Sequence, residues 1–272
     1  KEYTVLFGKG VYDFTDVEEL DLTNRERLQE YLVKRPVRYM INCAAYTDVD
    51  GAESDRESSL KLNRDIPANL KEQLDRNAGL RLIHISTDFV FDGTMNRPLN
   101  EEDPARPQGI YGISKLEGEK VLKGHPRVMI IRTSWLYSVF GNNFVKSMIK
   151  RMEQGSDLRI VYDQVGTPTY AEDLAMTVMQ IISDVEGQKS SFIPGIYHYS
   201  NEGVASWYDL AVEICRLIGC GSVISPIKTH EYPLPAKRPA YSVLDKSKIK
   251  DVYQVKVPHW RDSLERCIRD ML

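Results

Sequence analysis

Arg81-Leu82-Ile83-His84-Ile85-Ser86-Thr87-Asp88 is the stretch that decides the fold. Its first six residues read as a short apolar strand. A hydroxyl and a carboxylate then fall at its carboxyl end, the edge where open parallel sheets place their ligands. Phe89-Val90-Phe91-Asp92-Gly93 follows, and further on comes Tyr111-Gly112-Ile113-Ser114-Lys115.

Tyr111 and Lys115 are four residues apart, so on a helix both side chains leave one face. A phenol with its ordinary pKa near ~10 exchanges protons poorly at neutral pH. A neighbouring ammonium favours the phenolate and draws that value toward the working range. Thr87 is placed to hydrogen-bond a substrate oxygen as its charge changes. Together these three residues are the apparatus for moving a hydride to or from a carbonyl. A surface helix carrying an aromatic and a lysine one turn apart is the bland alternative. The upstream strand with its terminal hydroxyl favours catalysis.

Strands and helices alternate around this stretch. Val11–Thr15 is expected as a short strand, 24–34 as an amphipathic helix capped by Thr23 or Asn24, and 37–43 as a second strand. A long helical pattern runs over 54–77, with a break expected at Pro67. After the strand ending at Ser86 come a helix from near Pro107, a strand over 128–132 and a helix over 142–154. This alternation predicts an α/β fold, a Rossmann-like doubly wound parallel sheet with helices on both faces.

Beyond Gly155 the pattern turns irregular and rich in proline. Ser206-Trp207-Tyr208-Asp209 starts a helix to Leu217 that Gly219 closes, and a last helix runs from about Arg261. The expected division is a cofactor-binding part over 1–155 with a returning segment near 170–200. A smaller C-terminal substrate-binding part over 156–169 and 201–272 would form a lid over the sheet's carboxyl edge.

The amino terminus departs from this scheme. A dinucleotide fold opens with a strand, a glycine-rich turn and a helix. Tyr3-Thr4-Val5-Leu6-Phe7 reads as the strand, but only Gly8-Lys9-Gly10 stands before Val11. Asp16, at the expected end of the second strand, suits the adenosine ribose hydroxyls and repels a 2′-phosphate. A solvated strand-end carboxylate is an equal reading of the same residue.

With 272 residues, 42% hydrophobic and 28% charged, the chain suits an ordinary globular protein with a large core. A net charge of −3 gives no basic field for nucleic acid. No apolar run approaches the ~20 residues of a membrane span. No signal peptide is read, and Lys1 is not an initiator methionine, which leaves room for an upstream start. Cys43, Cys215, Cys220 and Cys267 form no Cys-x-x-Cys pair and read as buried free thiols of a reducing compartment. The histidines are scattered without metal-ligand spacing, so no structural metal is expected.

Several segments jointly resemble the dTDP-4-dehydrorhamnose reductase family of extended short-chain dehydrogenases/reductases. They include Asn42-Cys43-Ala44-Ala45-Tyr46-Thr47-Asp48-Val49-Asp50, Ser86–Gly93, Tyr111–Lys115, Arg132-Thr133-Ser134-Trp135-Leu136-Tyr137, Gly141-Asn142-Asn143-Phe144, 163–169 and Arg238-Pro239. The resemblance covers nearly the whole chain from about Phe14. It implies NADH or NADPH as cofactor and reduction of the C4 ketone of dTDP-4-dehydro-L-rhamnose. By the same resemblance Asp16, Asp21 and Leu22 would flank the adenosine, and Ala44, Ala45 and Thr47 would line the nicotinamide half. Tyr111 would be the proton donor, and Lys115 would hold the nicotinamide ribose. Thr87 and Asp88 would touch the sugar, Trp135 would pack on it, and Asn143 with Arg238 would reach toward the nucleotide. Plainer readings stand beside these: Trp135 as core, Asn143 as a helix cap, and Arg238 as an ion-pair partner. The resemblance also implies a cytoplasmic enzyme and leaves a homodimer open.

A protein of this fold need not be an enzyme. The regulatory subunit of methionine adenosyltransferase resembles these reductases and keeps a Tyr-x-x-x-Lys pair, so Tyr111 and Lys115 do not discriminate. The runs Arg132–Tyr137 and Gly141–Phe144 look like the reductases. An epimerase or dehydratase of the same superfamily is a further alternative, though dehydratases add an acidic pair where Thr87-Asp88-Phe89 offers one carboxylate.

Overall fold

Asn24 opens the first helix described. Its Oδ1 accepts from Arg27 N at 3.0 Å, and α1 (Arg25–Lys34) follows. The computed structural model describes residues 12–271. The expected strand at Tyr3–Phe7 and the Gly8-Lys9-Gly10 turn lie outside these residues. Tyr12–Thr15 form no strand: the chain is irregular there and turns at 17–19. Asp16 explains the turn, since its Oδ1 accepts from Glu18 N at 2.8 Å in a local carboxylate turn that competes with strand pairing.

The longer strands, in chain order, are β1 (Tyr39–Asn42), β2 (Arg81–Thr87), β3 (Val128–Thr133), β4 (Leu158–Val161), β5 (Gly195–His198) and β6 (Ile224–Ile227). Four of them form a parallel sheet in the order β1-β2-β3-β5. The remaining helices are α2 (Arg56–Leu60), α3 (Ile66–Arg76), α4 (Ile110–Leu122), α5 (Phe144–Glu153), α6 (Ala171–Glu186), α7 (Trp207–Ile218), α8 (Ser247–Tyr253) and α9 (Trp260–Met271).

Both faces of the sheet are covered, as the alternation predicts. On one face Leu82, Val128 and Ile130 pack with Leu28, Leu74 and Leu122 of α1, α3 and α4. On the other, Ile83, Met129 and Ile131 pack with Leu174, Val178 and Ile249 of α6 and α8. Residues alternate faces along each strand, so β2 feeds both layers. A separate cluster joins α5, α7 and α9 around Val145, Ile214, Trp260 and Leu264.

Local chemistry explains the breaks. The 54–77 pattern splits into α2, a wide helical turn over Lys61–Asp65, and α3 with Pro67 in its first turn. Pro67 gives the helix no N–H at that point, and the wide turn just before it is where the regular ladder is interrupted. Ser206 and Asp209 form a reciprocal capping box on α7, and Gly219 ends that helix in the left-handed region.

The cysteines correct the expectation. Cys215 and Cys220 form a disulfide, and Cys43 is exposed; only Cys267 is a buried free thiol. The chain doubles back at Gly219 and brings the two half-cystines to a Cα–Cα distance of 5.1 Å. A spacing of five residues across a helix end hides that proximity from a linear reading. Among the described residues no helix is long and apolar enough to cross a membrane.

Candidate active site

Thr87 is the last residue of β2, and the chain leaves the sheet in a single turn over Asp88–Val90. Thr87 Oγ1 accepts from Phe89 N at 3.2 Å, so its side chain caps the turn. Helix α4 begins at Ile110, whose N–H donates to Glu53 Oε1 at 2.8 Å. The helix lies against the turn: a Cβ added at Gly112 would stand 2.2 Å from Phe89 O. The Phe89 and Tyr111 rings meet edge to face at 5.5 Å. Thr87, Asp88, Tyr111 and Lys115 thus gather at the carboxyl end of β2.

Lys115 is buried, and its Nζ donates to Ile85 O at 2.7 Å. That is one of three N–H donors. Burial holds the ammonium down to about 8, against the pull of Glu119 one turn later and of Cys43. Tyr111 is half-buried, and its phenol is pushed up to about 12 by desolvation; a hydrogen bond with Thr87 draws it down and the Asp88 charge raises it. The expected lowering of the phenol by Lys115 is not seen: desolvation sets its direction, and Thr87 and Asp88 are the neighbours that act on it. A phenol protonated throughout the neutral range is suited to give a proton rather than take one. Asp88 is buried, and desolvation pushes its carboxyl up to about 6 against hydrogen bonds with Ser242 and Thr87.

A polar network ties the β1 loop to α4. Asn63 accepts from Tyr46 N at 2.8 Å and donates to Ser114 Oγ at 2.9 Å. Ser59 meets the same hydroxyl at 2.8 Å, and Ser114 donates to Tyr111 O at 2.8 Å. Residues 44–47 are thereby fixed relative to the helix that carries Tyr111 and Lys115. Sequence reading gave no role to Ser59, Asn63 or Ser114. A polar residue inside a helical pattern was the available signal, and only its three-dimensional partners give it meaning.

The described residues suit a nicotinamide dinucleotide along this edge. Ala44 and Thr47 are exposed and Ala45 is partly so, at the carboxyl end of β1. Their small side chains leave the backbone approachable, and Lys115 keeps two N–H groups besides the one given to Ile85. The Thr23 side chain, and then the Thr23 N–H that donates to Asp21 at 2.8 Å, hold the Asp21 carboxyl below the ordinary range. Leu22 packs into the α1–α3 core while its carbonyl accepts from Asn69. Asp16 sits in its exposed turn rather than at a strand end. Among the described residues no group of three or more His, Cys, Asp or Glu side chains is placed to hold a metal ion.

The expected sugar-side residues are spread along the neighbouring loops. Trp135 follows β3 with φ 48°, stacked on Trp207 at 3.7 Å and 7°. A Cβ added at Gly166 would lie 2.7 Å from its indole. Asn143 caps α5: its Oδ1 accepts from Lys146 N at 3.1 Å and its amide donates to Ser138 O at 2.8 Å. The cap reading of Asn143 is therefore the one its contacts express. Arg238 forms an ion pair with Asp50, the last residue of the Asn42–Asp50 segment. Trp207 and Asp50 carried no assignment in the sequence.

Comparison with known proteins agrees with this geometry. Over residues 7–272 the chain matches the family described as RmlD substrate binding domain. It is 39% identical over 238 residues to a dTDP-4-dehydrorhamnose reductase of Sinorhizobium fredii, covering 86% of this chain and 80% of the relative. A solved dTDP-4-dehydrorhamnose reductase of Clostridium acetobutylicum superposes with TM-score 0.91 at 39% identity, over 99% of this chain and 94% of the other. A Bacillus anthracis dTDP-4-dehydrorhamnose reductase, solved in complex with NADP, gives TM-score 0.89 at 34% identity over 95% and 89%. With the turn after β2, the Tyr111–Lys115 helix and this match along nearly its whole length, the chain belongs to the RmlD substrate binding domain family.

Proposed function

We propose that this protein reduces the C4 ketone of dTDP-4-dehydro-L-rhamnose to dTDP-L-rhamnose, using NADH or NADPH. The observation that carries the reading is the clustering of Thr87, Tyr111 and Lys115 at one sheet edge, in a chain 39% identical to a curated reductase of that name. When bound, the reduced nicotinamide supplies the hydride. Tyr111 gives its proton to the oxygen that becomes the new hydroxyl, and Thr87 hydrogen-bonds that oxygen as charge develops. Lys115 offers its free N–H groups to the nicotinamide ribose and its positive charge to the phenolate left on Tyr111.

In this reading Ala44, Ala45 and Thr47 line the nicotinamide half, with Asp16, Asp21 and Leu22 toward the adenosine. Asp88 and Trp135 contact the deoxysugar, and Arg238 and Asn143 lie toward the diphosphate. Residues 1–155 and the segment near 170–200 form the cofactor part; 156–169 and 201–272 form the substrate part. The reading places the enzyme in the cytoplasm and leaves room for a homodimer. Purified protein offered dTDP-4-dehydro-L-rhamnose should oxidise NADH or NADPH, followed by loss of the nicotinamide absorbance. No oxidation with either cofactor would reject the reductase and move the weight to a non-catalytic subunit.

A further inference from the structure

Beneath α4 the parallel register lines up Ser86 of β2, Arg132 of β3 and His198 of β5. Glu119 descends onto this row from α4. Its carboxylate accepts from Ser86 Oγ at 2.5 Å, from Arg132 Nε at 3.0 Å and from Arg132 Nη2 at 2.7 Å. Glu119 is 2% exposed and Arg132 3%. A buried ion pair of this kind is a weak source of stability, since a well-packed apolar pair does as well. Its position offers another reason for it. Lys115 is four residues before Glu119 on the same buried face of α4, and the only hydrogen bond it makes among the described residues is to the uncharged Ile85 carbonyl.

We infer that Glu119 is a positioning residue for the Tyr111–Lys115 pair: its carboxylate, clamped by Arg132 and Ser86, keeps the buried Lys115 ammonium charged and aimed at the site. The inference rests on the reductase reading for its catalytic meaning. The groups that face Lys115 leave this task to Glu119. On α4 they are Tyr111 and Glu119. From β2 comes His84, fully buried and held neutral by desolvation and by Lys115 itself. From the β1 loop comes Cys43, an exposed residue whose thiol is pushed up from its ordinary value by desolvation. Among the described residues Glu119 is the carboxylate of the set, and it opposes the desolvation of Lys115. Arg132 and Ser86 hold that carboxylate in place through their hydrogen bonds to it.

The test uses the full chain and two variants. Glu119→Gln removes the carboxylate but leaves Arg132 buried and unpaired. Glu119→Gln combined with Arg132→Met removes both charges and preserves packing, so it folds where the single variant fails to. With Lys115 deprotonating earlier, the alkaline limb of kcat should move to lower pH, by about one unit in the single variant and by less in the double, where the repulsive Arg132 charge leaves as well. KM for the nucleotide sugar should stay within about twofold. Competitive acetylation of Lys115 across pH, read by peptide mass spectrometry, should show the amine titrating earlier by the same amount. A folded double variant with the wild-type alkaline limb and labelling curve would overturn the inference and leave Glu119 a packing residue. A wild-type protein without reductase activity would instead reject the proposed function, and the labelling curves would still decide the role of Glu119.

Discussion

The Arg238 guanidinium grips Asp50 with two prongs, Nη2 to Oδ2 at 2.6 Å and Nη1 to Oδ1 at 3.1 Å. Asp50 also accepts from Ala236 N at 3.0 Å, so the carboxylate fixes both the arginine and the backbone two residues before it. The pair joins the loop after β1 to the Arg238-Pro239 segment, bringing the expected cofactor and nucleotide-sugar edges together. Arg238 thus serves as an ion-pair partner whose fork is pre-oriented, and a fork of this shape also matches phosphate oxygens.

Arg238→Ala should raise KM for the nucleotide sugar by about tenfold or more, with a smaller change in kcat, if the arginine meets the diphosphate. Asp50→Asn should raise KM as well, because it releases the guanidinium from its set orientation. Steady-state kinetics paired with thermal melts checks this. Lower Tm in both variants with unchanged KM would reduce the pair to a structural clasp.

Tyr111→Phe keeps the ring that meets Phe89 and removes only the proton. Turnover should fall by a factor on the order of 10² to 10⁴, the usual worth of a positioned acid. Tm and substrate affinity should hardly change. Near-normal turnover would take Tyr111 out of the mechanism.

The sequence disclosed the sheet more readily than the site's supports. Periodicity and caps located α1, the strands β1 to β3, and α7 with its capping box, because those signals are local. The gathering of Thr87, Asp88, Tyr111 and Lys115 was legible because helix spacing and strand ends follow simple rules. Of the strand expected over Val11–Thr15, the described residues 12–15 are irregular, and the chain turns just after them where the Asp16 carboxylate accepts from Glu18 N, a local bond that hydrophobic pattern does not register. The Cys215–Cys220 disulfide escaped because proximity depends on how the chain turns after a helix. The Asp50–Arg238 pair spans 188 positions of sequence, and no local pattern reports a contact of that range.

Gly112→Ala tests the contact between α4 and the catalytic turn. The new Cβ would press on Phe89 O at 2.2 Å and on Pro107 Cβ at 2.9 Å, one of them backbone that cannot swing aside. Alanine ordinarily stabilises a helix interior by roughly 0.5–1 kcal/mol over glycine. Here the steric cost should win, lowering Tm and displacing Thr87 from Tyr111. Loss of turnover greater than the loss of Tm explains at the assay temperature is the expected result. A stabilised, fully active variant would show that the helix does not rest on the turn.

Asp88 offers a test of sign. Its carboxyl is buried, one oxygen has no hydrogen-bond partner among the described residues, and the Thr87 hydroxyl lies 3.3 Å from the other. Its folded pKa of about 6 stands above the ordinary 3.8. Between those values the folded state holds a proton that the unfolded chain has released, so stability falls as pH rises from about 4 to about 6. Above that window the buried charge costs on the order of 2–3 kcal/mol, taking about 1.4 kcal/mol for each pKa unit. Asp88→Asn removes the charge at nearly constant shape. The variant should melt higher than the parent at pH 7–8, and the gain should shrink toward zero near pH 4. Turnover should fall at the same time, since the carboxylate is proposed to meet the sugar. Melting curves taken across pH decide the matter: a variant less stable than the parent at pH 7 would mean that the Asp88 charge is held by contacts stronger than its desolvation.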